Sequence, residues 1–361
     1  MFRKKKFIMA GLILTASLVL SACGGGSTES STDEGGSKSE NSEEIYNWNF
    51  VTEEMEGQVQ FEYAREFADL LAEKSDGRIN MEIYEFGGLG SEVDQVEQMQ
   101  DGIVEFAIMS PGFTGTMVTE GQLFALQFLF TDDMALNQEI LNTSEALNVH
   151  LSKKYEEHNI KPLAYFTEGA MQWTSNKPLQ SPEDFQNFKM RTQESPLIME
   201  SYKAYGADPT AMSWSELYTS LDRNIVDGQE NPIFFIEDAS FNEVQDYMTI
   251  SNHNIYVAML TVNPNFYDSL PDDIKKMIDE TVEEMRPIAY DLQDKLNREM
   301  LESIRENETH STEIIELSEA ERDAFRQLAL PVREYFINEV VGEDGKELLD
   351  MLQKEIEEVE E

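Results

Sequence analysis

In 361 residues there is one cysteine, Cys23, so no intrachain disulfide can form. Histidine is nearly as scarce. The four present, His150, His158, His253 and His310, show no HExxH or comparable spacing, and with a lone Cys the chain carries no recognisable metal-site pattern. No cofactor and no metal are expected. The strand-to-helix serine motif GxSxG is missing, and no Lys-Ser/Thr follows the glycine-rich turn Gly87-Gly88-Leu89-Gly90, so neither a nucleophile elbow nor a phosphate loop is expected. With these catalytic patterns lacking, the chain is not read as an enzyme. Positive charge is short as well: 27 Lys and Arg stand against 71 Asp and Glu, a formal charge of −44. That balance argues against electrostatic binding of nucleic acid or of an anionic membrane surface. An anionic ligand would have to be gathered by a local positive site against the field of the whole protein.

What is present begins with an address. Arg3, Lys4, Lys5 and Lys6 precede an apolar run, Phe7 to Leu20, that is too short for a comfortable membrane span. Leu20-Ser21-Ala22-Cys23 then resembles the bacterial lipobox, which implies that residues 1–22 are a lipoprotein signal peptide and that Cys23 is lipidated. Residues 23–44 are mostly Gly, Ser and Glu and read as a flexible tether. The expected location is extracytoplasmic, held to the cell membrane by lipid, on the outer face of a Gram-positive membrane or in a periplasm.

The remaining length suits two domains, and 40% hydrophobic residues can fill their cores. Tyr46 to Val51 reads as a strand. Phe61, Ala64, Phe67, Leu70 and Leu71 recur at helical spacing, with Gly77 as the stop. Ile79, Met81 and Ile83 alternate as a strand does. Ser91 and Asp94 can cap the next helix, and Ile103 to Met109 is a further strand. Strands alternating with helices imply an α/β fold with mainly parallel pairing. Ligands in such folds lie beyond the carboxyl ends of strands, which makes Ser110 and Phe113 pocket candidates. Pro271 opens a helical pattern of roughly 30 residues, about 45 Å, long enough to run along two domains.

The densest stretch runs from Lys189 to Pro232. Lys189 to Thr192 reads as a strand ending near Arg191, whose forked guanidinium suits a carboxylate. Ser195 with Pro196 starts a helix that Gly206 ends, and Ser213 with Glu216 reads as a capping box for the next. Ile225 to Gly228 returns to a sheet, and Gln229-Glu230-Asn231 presents polar groups.

The ordered pattern KMRTQESP, YGADPT and VDGQENP, continued by SFNEVQDYMTISNH, resembles the DctP-type substrate-binding proteins of tripartite ATP-independent periplasmic (TRAP) transporters. The resemblance runs from about Tyr46 to the late helices. It implies a two-domain periplasmic-binding-protein-like (Venus flytrap) fold, hinged, with a long helix along both domains and the ligand in the cleft. The expected ranges are 45–168 plus 257–296 for the first domain and 169–256 plus 297–361 for the second. On the family pattern Arg191 falls on the Arg that pairs with a substrate carboxylate, Asn231 on the Asn that hydrogen-bonds the ligand, and Trp214 on an aromatic position near the cleft. Many members carry a second Arg in the segment that here reads Gly169 to Asn176, where Met171 stands instead. That substitution favours a monocarboxylate, or a ligand that also carries a cationic group, over a dicarboxylate held by two Arg. Met171, Trp173 and Trp214 would then supply apolar or cation–π contacts.

The resulting expectation is a monomeric extracytoplasmic binding protein that captures a small organic acid and delivers it to TRAP permease subunits. Two alternatives share the ligand chemistry: a binding protein of an ATP-driven importer, and the input module of a sensor.

Overall fold

The computed structural model of the chain describes residues 44–360. The leader, Cys23 and the tether up to residue 43 lie outside the described residues.

Two mixed sheets organise the rest. The first has the order β2-β1-β3-β10-β4, formed by β1 (Tyr46–Val51), β2 (Ile79–Tyr84), β3 (Phe106–Met109), β4 (Lys161–Ala170) and β10 (Ile255–Val262). The second has the order β11-β9-β5-β8-β6-β7, formed by β5 (Gln172–Ser175), β6 (Lys189–Thr192), β7 (Asp208–Ala211), β8 (Gly228–Asn231), β9 (Tyr247–Ile250) and β11 (Glu313–Glu316). Pairing is parallel at β1–β2, β1–β3, β6–β7, β6–β8 and β9–β11. It is antiparallel on both sides of β10 and on both sides of β5. The antiparallel strands have one cause: β4 runs into β5, and β9 returns through β10, so the chain enters each sheet from the other.

Alternation along the strands fills the core on both faces of the first sheet. Trp48, Phe50 and Phe106 pack against Phe67 of the helix Val59–Lys74, and Phe50 meets Phe67 edge-on at 6.0 Å. Val51, Ala107 and Met109 point the other way, toward Leu123, Leu141 and Leu147. β10 is buried along its whole length, as suits a central strand covered on both faces. In the second sheet the buried Trp173 gathers Phe185 at 4.9 Å and Phe325 at 4.8 Å. Each such ring contributes about 1.5–3 kcal/mol through burial.

Asp272–Glu306 forms one helix of 35 residues, about 52 Å long. Lys74 of the helix over the first sheet pairs with its Glu284 at 2.7 Å, while its Ser303 donates to Glu237 beyond β8. Midway, Asn297 Nδ2 donates to the carbonyl of Glu168 where β4 leaves the first sheet, and Phe234 N–H donates to Asn297 Oδ1. Gly169 follows at φ +118°, and a Cβ there would stand 2.5 Å from Asn297 Nδ2. Glycine is required at this crossing for both reasons.

Several local expectations meet particular outcomes. Ser91 and Asp94 make the expected capping box, and Ser195 caps the helix Pro196–Ala204. Ser213 makes no cap of its own helix, Trp214–Asp222, because Glu92 occupies that helix start from across the cleft. Asp208-Pro209-Thr210 lies in the edge strand β7, a place where a proline's missing N–H costs nothing. The last helix, Gly342–Glu360, is expected with the second domain. Its Glu355 nevertheless accepts the N–H groups of Glu145 at 3.1 Å and Ala146 at 3.2 Å, beside the first sheet's helical layer.

Candidate functional site

The carboxyl ends of β1 and β6 approach one another across a cavity with about 290 Å³ of atom-free space, at the small end of ligand sites. From the second sheet come Arg191 on β6 and Asn231 on β8. The Arg191 guanidinium is buried, with 2% of the residue exposed. Its Nε and Nη2 both donate to the carbonyl of Met212, at 3.1 and 2.8 Å, which fixes the plane of the fork, and Arg191 lines the cavity. No carboxylate forms an ion pair with it among the described residues; Glu92, Glu230 and Glu194 act on it only through space. Burial pushes its pKa down to about 10, so it remains a cation at neutral pH. A buried, unpaired cation is costly unless an anion joins it.

Asn231 is aimed by its neighbour on the same strand face. Its Nδ2 donates to Gln229 Oε1, and Gln229 Nε2 in turn donates to Thr174 Oγ1 at 3.0 Å. The Asn231 carbonyl oxygen is thereby left for a ligand.

The opposite wall is anionic. Glu53 follows β1; its Oε2 accepts the Ser110 N–H at 3.1 Å, and its Oε1 is buried without a hydrogen-bond partner. Burial raises the Glu53 pKa well above the carboxylate range. Glu92, at the start of the helix Glu92–Gln100, accepts the Ser213 hydroxyl and the Trp214 N–H, each at 3.2 Å. These bonds join the two walls. Aromatic rings close the sides: Trp214 lies 5.0 Å from Phe235, and Phe235 lies 5.8 Å from Tyr256, with Phe113 also lining the cavity.

Gln193 and Tyr256 line this cavity and also a second chamber beside it, and Gln193 Nε2 donates to the Tyr256 hydroxyl at 3.1 Å. They form the partition. Ser110, Met171, Glu230 and Asn254 line the far side. Glu230 Oε2 accepts the Tyr202 hydroxyl at 2.5 Å and lies 2.7 Å from His253 Nε2, while His253 Nδ1 meets Ser251 Oγ at 2.7 Å. Ser251, His253 and Glu230 thus stand in the order of a hydrolytic triad, yet Ser251 is 1% exposed and also bonds to the Met171 carbonyl. The arrangement supports the sheet and lacks access for a substrate.

Of the residues singled out in the sequence, Arg191, Asn231, Trp214 and Phe113 line one cavity. Ser110 and Met171 line the adjoining chamber. Trp173 lines neither: its ring is in the second-sheet core, stacked on His253 at 4.6 Å with Nε1 donating to Tyr202. Glu53, Glu92, Gln193, Phe235 and Tyr256 were not anticipated. Glu53 and Gln193 each follow a strand by one or two residues, the same signal that singled out Ser110 and Phe113. Among the described residues no group of His, Cys, Asp and Glu is arranged to hold a metal ion, and no helix is long and apolar enough to cross a membrane.

Residues 50–339 match the family described as bacterial extracellular solute-binding protein, family 7 (DctP). The chain is similar to the ectoine-binding periplasmic protein TeaA of Halomonas elongata, 36% identical over 310 residues that cover 86% of this chain and 90% of the relative. It is also similar to the ectoine/5-hydroxyectoine-binding periplasmic protein UehA of Ruegeria pomeroyi, 32% identical over 86% of this chain and 90% of that one. Among solved structures, the periplasmic ectoine-binding protein from the TeaABC TRAP transporter of Halomonas elongata superposes with a TM-score of 0.83 at 36% identity, covering 86% of this chain and 99% of that chain.

Proposed function

We propose a ligand from one premise: the chain belongs to bacterial extracellular solute-binding protein family 7, the DctP family of TRAP-transporter binding proteins. It is a solute-binding protein rather than an enzyme, of the extracytoplasmic kind that works with membrane permease subunits. In our reading its ligand is a small zwitterion with one carboxylate and one compact, delocalised cation. Ectoine, a cyclic amidinium carboxylate, is the type compound, and it appears in the names of two similar proteins.

The observation that carries this reading is a pair of unsatisfied buried groups, one a cation and one an acid that a ligand's cation would draw to its ionised form. Arg191 is a buried guanidinium without a carboxylate, and Glu53 across the cavity has a buried oxygen without a donor. A carboxylate on Arg191 and an amidinium N–H on Glu53 Oε1 would satisfy both with charge-assisted hydrogen bonds. The faces of Trp214 and Phe235 suit a flat cation between them. A dicarboxylate would bring its second carboxylate to an acidic wall that offers no cation, with Met171 where a second Arg would be needed.

Cleft closure, with domain motion about the crossings near Glu168 and Tyr256, belongs to the same proposal. So do the Cys23 lipid anchor and the monomeric state. Delivery to a TRAP permease distinguishes this reading from an ATP-driven importer or a sensor. A thermal-shift screen tests the ligand class, since a compound that binds only the folded state raises its melting temperature. Ectoine is expected to raise it, and succinate and galacturonate are not. A shift with succinate alone would refute the zwitterion reading.

A further inference from the structure

We infer that Glu54 and Glu168 form an acid pair that holds one shared proton and, through Gln60, positions Glu53 for the ligand's cation. The last step rests on the zwitterion reading above; the pair itself does not.

Both side chains are buried, Glu54 at 1% and Glu168 at 0% exposure. One glutamine bridges them. Gln60 N–H donates to Glu54 Oε2 at 2.7 Å, and Gln60 Nε2 donates to Glu168 Oε1 at 2.9 Å. The same side chain accepts the backbone N–H of Glu53 on its Oε1 at 3.0 Å. Because Gln60 spends its amide donor on Glu168, its oxygen is turned to hold Glu53. The remaining oxygens, Glu54 Oε1 and Glu168 Oε2, are buried and have no donor, and the two carboxyls interact directly with each other. Two ionised carboxylates cannot share such a site, whereas one proton between them turns two orphan acceptors into a hydrogen bond.

The surroundings give the proton no competitor. The titratable groups acting on Glu54 and Glu168 are each other and, on Glu54, the neighbouring Glu53. Tyr256 on β10 feels all three carboxyls, and Glu92 acts on Glu53. The helix Val59–Lys74 presents Gln60, and the long helix presents Asn297 to the Glu168 carbonyl; both are neutral. No Lys, Arg or His pairs with Glu53, Glu54 or Glu168 among the described residues. Burial pushes Glu168 up to about 7 and Glu54 well above the carboxylate range. The pair joins the loop after β1 to the strand that crosses between sheets, so losing the proton would drive that loop, and Glu53 with it, off its place.

The direction with pH follows from the raised values. Glu54 is raised further than Glu168, so both are protonated at low pH and the one-proton pair forms as Glu168 ionises; stability from the raised Glu168 is complete below the ordinary carboxylate range and is lost as pH rises through about 7.

The test compares the wild-type protein with Glu168→Gln and Glu54→Gln, whose amides can replace the shared proton with an N–H. Ligand-free unfolding is followed from about pH 5 to 8, and calorimetric titration with ectoine from about pH 6 to 9. As pH rises, wild type should lose more than about 3 °C of melting temperature relative to Glu168→Gln. A cation on Glu53 favours its ionised form, so wild-type binding should release protons, seen as a binding enthalpy that differs between two buffers. This readout needs no variant to fold. Parallel melting curves overturn the inference, and a wild-type binding enthalpy independent of buffer overturns its link to Glu53. No ectoine binding at any pH, with the stability difference intact, refutes the ligand reading and supports the acid pair.

Discussion

On the first-sheet side of the cleft stand Glu53 and Glu92; on the second-sheet side stand Arg191 and Asn231. The two walls differ in charge and in how they are held. Arg191 is fixed by a backbone carbonyl and Asn231 by a chain of neutral amides and hydroxyls, so that wall meets the ligand as one rigid, net-positive surface. Glu53 is held by a backbone N–H and by Gln60, beside two further buried carboxyls, so its wall is acidic and sensitive to protons. The difference shows how a chain of charge −44 can hold an anion: the positive group sits on one wall only, screened by burial from the acidic surface. On the proposed function it would also couple binding to closure, because neither wall alone satisfies both ends of a zwitterion.

The comparison breaks most sharply at Arg191. Arg191→Ala should weaken ectoine binding by two orders of magnitude or more, roughly 3 kcal/mol, in calorimetry on a variant whose circular dichroism is unchanged. Arg191→Lys should weaken it too, since a point charge cannot reproduce the fork. On the opposite wall, Glu53→Gln should cost about 1.5–3 kcal/mol, because a charged acceptor becomes a neutral one. If the loss from Glu53→Gln matches that from Arg191→Ala within error, the walls contribute equally and the asymmetry argued here is wrong. Asn231→Ala should cost less, on the order of 1–2 kcal/mol, as a neutral partner. Met171→Arg should have the smallest effect on ectoine, under roughly 1 kcal/mol, since Met171 lies beyond the Gln193–Tyr256 partition. The same variant should gain measurable affinity for ligands with a second carboxylate; no gain for any dicarboxylate would show that position 171 is walled off.

How much of this was legible in the sequence divides along the same line. The second-sheet wall was readable because its residues sit in an ordered pattern, with Arg191 and Asn231 at its two ends. The long helix, the capping box at Ser91 and the strands around β1 were legible from periodicity and turn chemistry. The first-sheet wall was not. Glu53 is one of 71 acidic residues, and nothing local marks it apart from a surface carboxylate; its meaning comes from β1 ending against β3 and from Gln60 folding back on it. Ser213 was misread because its cap comes from Glu92, more than a hundred residues earlier in the chain. Trp173 was misread because alternation along a strand gives two faces without saying which is the core, and here the indole points to Phe185 and His253. The antiparallel strands β5 and β10 depend on crossings between sheets, which local periodicity cannot report.

The central claim, that the cavity takes a single-carboxylate zwitterion rather than a dicarboxylate, is tested most directly by calorimetric titration of the wild-type protein with ectoine and with succinate under one buffer condition. Ectoine is expected to bind at least about a hundredfold more tightly, a difference of roughly 2.7 kcal/mol. Equal affinities, or tighter binding of succinate, would contradict it.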